Sequence, residues 1–347
     1  MSFSKIFKQA IFSIRPLSRL KYHDAIILMY HRVAELDSDP WSLAVRPKHF
    51  DEHMDIIQKH GYPMSLTKFA ENLNDNHPLQ RAIVVTFDDG YKDNLNNAKP
   101  ILEKYNIPAT VFVTTGCIEQ QRDFWWDELD RLLLQPRSLP DLLQLNIRGK
   151  RYQWKTVGSE HYSSGTLRPT AFQSIKSKIE ELLNRRLNLY RKIYKILQLL
   201  SPFEREQVLK ELKIWVNTES TNWKNQLPLT KNDLITLGKE GLIEIGAHTE
   251  SHPHLSKIPL NKQRDEILKS KAYLENILGH NVNSFAYPHG SYIKDTVSLV
   301  KEAGFSCACS SIFGKVKRRN NLYLLPRVVI KDWDGETFYR YFSKIAW

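Results

Sequence analysis

Short, almost wholly apolar runs recur along the 347-residue chain at 25–30, 82–87, 108–113, 242–246, 284–288, 305–310 and 322–329. Continuous rather than alternating apolar character predicts strands buried on both faces of a parallel sheet. Between the runs lie stretches of helical spacing. At 47–60 Pro47 starts the helix, Phe50, Met54 and Ile57 share a face, and Gly61 follows the end. Helices are also expected near 94–105, at 260–278 with Gly279 closing, and near 293–303. Strand, helix and strand in alternation indicate βαβ units. The rhythm stops from about 119 to 226, where Leu, Lys, Arg and Glu dominate and helical periodicity runs at 171–199 and 203–216. The expected organisation is a basic segment (1–24), a first barrel part (25–118), a mostly helical insertion (119–226) and a second barrel part (227–347).

Composition narrows the partners. A hydrophobic fraction of 41% suits a globular core, and Lys plus Arg exceed Asp plus Glu by 50 − 38 = 12. That excess suits an anionic partner, but no zinc-finger spacing or RNA-binding aromatic signature accompanies it, so no nucleic acid is expected. The first twenty residues space Phe3, Ile6, Phe7, Ile11, Phe12, Ile14 and Leu17 among Lys and Arg. This is the pattern of a basic amphipathic helix, placed on an anionic membrane or against the domain body. With no signal-peptide pattern or membrane-spanning run, the expected location is the cytoplasm or the inner face of the membrane. Cys117, Cys307 and Cys309 read as small buried hydrophobes rather than a disulfide framework.

The chemistry gathers at strand ends. Thr86-Phe87-Asp88-Asp89-Gly90 closes the second run with two carboxylates and a turn-permitting glycine. Neighbours on an extended chain point opposite ways, so one aspartate can bind a metal while the other stays free as a base. After the run 242–246 comes His248-Thr249-Glu250-Ser251-His252. Two imidazoles four residues apart converge on one ion, and with Asp89 they form a His, His, carboxylate set that leaves coordination positions open. All would lie at the C-terminal ends of parallel strands, where barrel enzymes keep their active sites.

The segments TFDDGY (86–91), HTESHPHLS (248–256) and FAYPHGSY (285–292) resemble the motifs of the polysaccharide deacetylases, the NodB-like carbohydrate esterase family 4. The resemblance covers about 25–117 and 227–330. It implies an α/β fold, a distorted (β/α) barrel of about seven strands, and metal-dependent removal of acetyl groups from sugars. It implies Asp89, His248 and His252 as metal ligands, with zinc first and cobalt, nickel or iron also accepted. Asp88 becomes the catalytic base, and the backbone N–H of His289, after Pro288, an oxyanion donor. Tyr91, Tyr287, Pro288, His289 and Arg327 are the expected substrate-side residues, with Tyr292 beside them. The implied substrate is an N-acetylated glycan.

Three positions depart from the family pattern. Ala286 stands where most members carry an arginine that orients the catalytic aspartate, and Arg327 or Arg32 is the candidate replacement. His289 replaces the usual aromatic, and the late Leu-x-His motif with its general-acid histidine is missing. His31, in LMYHRV, is the expected acid, as in the branch with permuted motifs that contains the poly-N-acetylglucosamine deacetylases; His289 is second. His254 is expected as a supporting loop residue. Two alternatives stay open: glycan binding without turnover, and hydrolysis of a small non-peptide amide.

Overall fold

A computed structural model describes residues 25–77, 79, 81–118, 122–136, 138–156, 169–217 and 227–346. The basic segment 1–24 lies outside them. Seven strands form the central barrel: β1 (Ile26–Tyr30), β2 (Ala82–Phe87), β3 (Ala109–Val113), β4 (Ile243–Ala247), β5 (Ser284–Ala286), β6 (Cys307–Phe313) and β7 (Leu325–Val329). Each pairs in parallel with its neighbour in chain order, and β7 returns to β1 through Leu28↔Val328 and Met29↔Val329. The seven-stranded (β/α) barrel expected from the sequence is therefore present and closed. A two-residue strand, Tyr62–Pro63, adds to the outer edge of β2.

The apolar runs fill two layers. Ile27, Val84, Phe112, Cys307, Cys309 and Leu325 pack in one cluster with Leu66, Phe69 and Leu73 of α2 (Leu66–Asn74), which seals the end where Ala25 and Ala82 begin their strands. Ile26, Leu28, Ile83, Val85, Val111 and Ile245 belong to a second cluster, under the helices. Both faces of the strands are thus dry, which is why the runs do not alternate. Cys307 and Cys309 are free and buried on the interior side. The helical layer comprises α1 (Pro47–His60), α3 (Lys99–Tyr105), α7 (Lys231–Gly238), α8 (Leu260–Leu278), α9 (Lys294–Glu302) and α10 (Gly335–Ala346).

The insertion folds around a core of its own. It holds α4 (Trp125–Leu133), a β-hairpin, α5 (Pro169–Leu197) and α6 (Pro202–Val216). The hairpin pairs Leu142–Ile147 with Lys150–Lys155, and Arg148 and Gly149 at its tip both take positive φ, 53° and 75°. Leu129, Leu133, Leu143, Leu145, Tyr190, Ile193, Leu197 and Leu212 pack together there, separate from the barrel clusters. Ser201 and Glu204 cap the start of α6 reciprocally, with Pro202 at its first position, and this fixes the turn after α5. Among the described residues no helix is long and apolar enough to cross a membrane.

Candidate metal centre and active site

The site begins where β2 stops. The Asp88 N–H still donates across the barrel to the Tyr30 carbonyl at 3.0 Å, as a strand residue does. Asp89 and Gly90 then take φ of 74° and 84°, turning the chain so that the two carboxylates part. A side chain at Gly90 would press on Val113, 3.1 Å from an ideal Cβ, so the turn needs a glycine for space as well as for φ.

Asp88 meets Arg327 of β7. The guanidinium donates two parallel bonds of 2.7 Å to Asp88 Oδ1 and Oδ2, one of 3.1 Å to Thr86 Oγ1 and one of 3.0 Å to the Ser310 carbonyl. Burial works to raise the Asp88 pKa, and the Arg327 charge outweighs it, leaving the carboxyl at about 2. Asp88 is thus ionised and fixed in orientation. Arg327, on β7, thus orients Asp88, while Ala286 lies on β5. Arg32, the other candidate, pairs with Asp93 at 2.9 Å and lies 4.1 Å over the Tyr91 ring.

Asp89 meets the two histidines. His252 Nε2 lies 3.3 Å and His248 Nε2 3.7 Å from Asp89 Oδ1, and one donor atom from each of the three residues falls within 4.8 Å of the others. His248 Nδ1 is 2.8 Å from the Ala286 carbonyl, so it carries the proton and leaves Nε2 with a free lone pair. Burial holds both imidazoles neutral. Burial, then the Asp88 charge, pushes the Asp89 pKa well up. A buried carboxylate facing two neutral nitrogens is short of positive charge, so this donor set fits a divalent cation.

The loop carrying the histidines is held from outside. Thr249 and His252 take φ of 68° and 56°. Glu266 of α8 accepts from the Glu250 and Ser251 N–H groups and from Ser251 Oγ, at 2.9, 2.8 and 2.6 Å. The Gly116 N–H donates to the Glu250 carbonyl at 2.7 Å; an ideal Cβ there would stand 2.5 Å from that oxygen.

A cavity of about 390 Å³ opens over both aspartates. His31, half-buried, lines it beside Asp88, and burial lowers its pKa to about 4 against the opposing pull of Asp88. His289, exposed and at φ 55°, lines it too, stacked on His254 with ring centres 3.9 Å apart. Trp41, Leu43, Trp126, Tyr194, Lys195, Gln198 and Ser311 complete the walls.

The family model described as polysaccharide deacetylase matches residues 75–139 and 208–308. Over those segments, a little under half of its length, the chain resembles the polysaccharide deacetylase family. Its curated relatives include the Bacillus subtilis (strain 168) protein YxkH, whose name places it among polysaccharide deacetylases, 38% identical over 126 residues. Another is a poly-beta-1,6-N-acetyl-D-glucosamine N-deacetylase of Staphylococcus aureus (strain MRSA252), 28% identical over 131 residues. These alignments cover 35% and 33% of the chain, and it spans less than half of either relative, 44% and 45%. The fold is shared with the Streptococcus pyogenes deacetylase PplD in complex with acetate, at TM-score 0.56 and 20% identity over 91% of this chain and 97% of that one. IcaB from Ammonifex degensii gives TM-score 0.56 and 16% identity over 93% and 97%.

Four of the expected substrate-side residues do not face the cavity. Tyr91 is buried and donates to Asp127 at 2.8 Å while accepting from Trp126 Nε1 at 2.8 Å. Tyr287 is buried, with its hydroxyl on the Tyr323 carbonyl, and Pro288 is buried beside it. Arg327 is wholly buried behind Asp88, so it positions that carboxylate and cannot touch a sugar. Tyr292 packs on Tyr287. Only His289 of the expected five lines the cavity. Sequence reasoning missed Trp41, Tyr194, Lys195, Gln198 and Ser311; the aromatic cluster at 124–126 was the one available signal for the insertion's share of the wall.

Proposed function

We propose that the chain is a metal-dependent hydrolase that removes acetyl groups from N-acetylated sugars of a glycan or glycan precursor. The observation that carries this is the pairing, in one cavity, of a three-residue donor cluster with an arginine-clamped carboxylate that is not part of it. Asp89, His248 and His252 would hold the ion, zinc by preference; the chemistry it supplies when bound is acidification of water and polarisation of an acyl carbonyl. A pure binding site has no use for a free, oriented Asp88.

Asp88 takes a proton from the attacking water. With a pKa of about 2 it is a weak base, sufficient only for water already acidified by its surroundings. The water oxygen bonds to the acetyl carbon, the C–N bond breaks, and acetate and a free amine leave. His31 is neutral at pH 7; with a pKa of about 4 against about 2 for Asp88, it would take that proton from Asp88 and give it to the departing nitrogen. The His289 N–H is the donor assigned to the oxyanion. Trp41, Trp126 and Tyr194 give the cavity aromatic faces, which suit a sugar ring better than a small cyclic amide. The test is Asp88→Asn: metal and glycan binding are expected to persist while acetate release is lost. Acetate release at the wild-type rate in that variant would refute the assignment.

A further inference from the structure

Arg205, on α6 of the insertion, is 5% exposed, and the main counter-charge acting on it, Glu266, does so without forming an ion pair with it. Its contacts are one long hydrogen bond, 3.4 Å, to the Ser251 carbonyl, and the Trp125 ring, whose centre is 5.2 Å away. This sets it apart from Arg327 and Arg32, which are equally buried and each hold an aspartate. A cation taken out of water without a counter-charge is strongly unfavourable, so such groups are normally paired.

Arg205 lines two cavities at the seam between insertion and barrel, about 340 and 670 Å³, which share Pro202, Glu250 and Ser251 with it. The acidic walls are engaged elsewhere. Glu128 pairs with Lys213, Glu206 with Arg122 and Lys210, and Glu250 with Lys269. Glu266 is occupied by the metal loop. The position is also informative. Ser251 precedes the metal-cluster residue His252, Trp125 precedes Trp126 of the catalytic wall, and the larger cavity shares Gln198 with the catalytic one.

We propose that Arg205 is the centre of a second binding site, which takes an anionic carboxylate or phosphate group at the seam. The planar guanidinium fork matches either oxyanion with two parallel bonds, and a water-poor seam strengthens them. Two sources carry that chemistry. One is an acidic sugar unit of the glycan, seated here while a neighbouring acetamido sugar occupies the catalytic cavity; this source rests on the deacetylase reading. The other is free phosphate.

The experiment is calorimetric titration of the full chain with inorganic phosphate, comparing wild type with Arg205→Gln, Arg205→Lys and the surface control Arg340→Gln, whose exposed side chain on α10 pairs with Glu336. The expected result is saturable binding by the wild type and by Arg340→Gln, weakened at least about tenfold in Arg205→Gln, with Arg205→Lys between them. No saturable binding by the wild type, or equal binding by Arg205→Gln, overturns the proposal. Should circular dichroism show Arg205→Gln unfolded, Arg205→Lys decides, and wild-type binding by it overturns the proposal. The source is then read from acetate release on N-acetylated oligomers with and without a uronate. A KM raised about tenfold by Arg205→Gln for the acidic oligomer alone assigns the site to the glycan. Lost phosphate binding with both KM values unchanged assigns it to the free ion. The phosphate titration reads no acetate, so it stands or fails independently of the deacetylase reading.

Discussion

On the barrel side of the cavity the reacting groups are held by other protein groups. Arg327 fixes Asp88 through two 2.7 Å bonds, the Ala286 carbonyl sets the His248 tautomer, and Glu266 pins the loop between the histidines. On the insertion side, Tyr194 and Lys195 reach the same cavity from the last turn of α5 and Gln198 from the turn after it, and Lys195 is exposed. These side chains border the reacting groups without orienting them, Trp126 excepted, since its ring packs 4.8 Å from that of His252. On the proposed reading, the barrel supplies the preorganised groups and the insertion shapes the cavity around them. Substitutions on the two sides should therefore separate into kcat and KM effects.

The largest effect is expected at Asp88. Removing the base in Asp88→Asn should lower kcat about 10²- to 10⁴-fold, with metal content unchanged by elemental analysis. Next comes Arg327→Met, which leaves Asp88 buried and unpaired. A loss of about 3–5 kcal/mol in urea unfolding is expected. The pH dependence sharpens this. Asp88 has its pKa depressed to about 2, so its contribution to stability is present above its unfolded value, near 4, and is lost as pH falls through about 2. Arg327→Met should abolish that loss. His31, lowered by burial to about 4, acts over a higher window. The native state binds fewer protons there than the unfolded chain, so stability should fall as pH drops from about 6.5 through 4. Urea unfolding in the presence of a chelator separates this from metal loss.

Smaller effects test the aromatic wall, formed by Tyr194 of the insertion and by Trp41, which packs on the insertion core from the barrel part. Trp41→Ala and Tyr194→Ala should each raise KM for N-acetylated oligomers about tenfold and leave kcat within about threefold, since each lines the cavity but touches no reacting group. A matching fall in kcat would erase the division between the two sides. Glu266→Gln is the mildest. It loses the charge that accepts three bonds from the metal loop, and metal affinity measured by chelator competition should fall about tenfold.

The same division decides what the sequence made legible. The barrel strands were readable because burial on both faces leaves continuous apolar runs, and helix α8 because Gly279 closes its last turn at φ 73°. Asp88, Asp89, His248 and His252 were readable because they follow strand ends directly. Tyr91, Tyr287 and Pro288 were misplaced because motif position says nothing about which way a side chain turns after a strand. The hairpin Leu142–Ile147/Lys150–Lys155 was hidden: Arg148-Gly149 is a poor advertisement for a turn with φ positive at both residues. Trp41 and Gln198 were invisible because only tertiary docking carries them to Asp88. Arg327 was foreseeable as a candidate, since a buried carboxylate base needs a cation, but only packing distinguishes it from Arg32.

The central claim is that Asp89, His248 and His252 hold a divalent metal that the chain uses to release acetate. The most direct measurement is elemental analysis of purified wild type and His248→Ala, with acetate release on N-acetylglucosamine oligomers followed in parallel. About one metal per chain, lost together with acetate release in His248→Ala, is the predicted result. A wild type that takes up no metal even after reconstitution, or a His248→Ala variant that keeps both metal and activity, would contradict it.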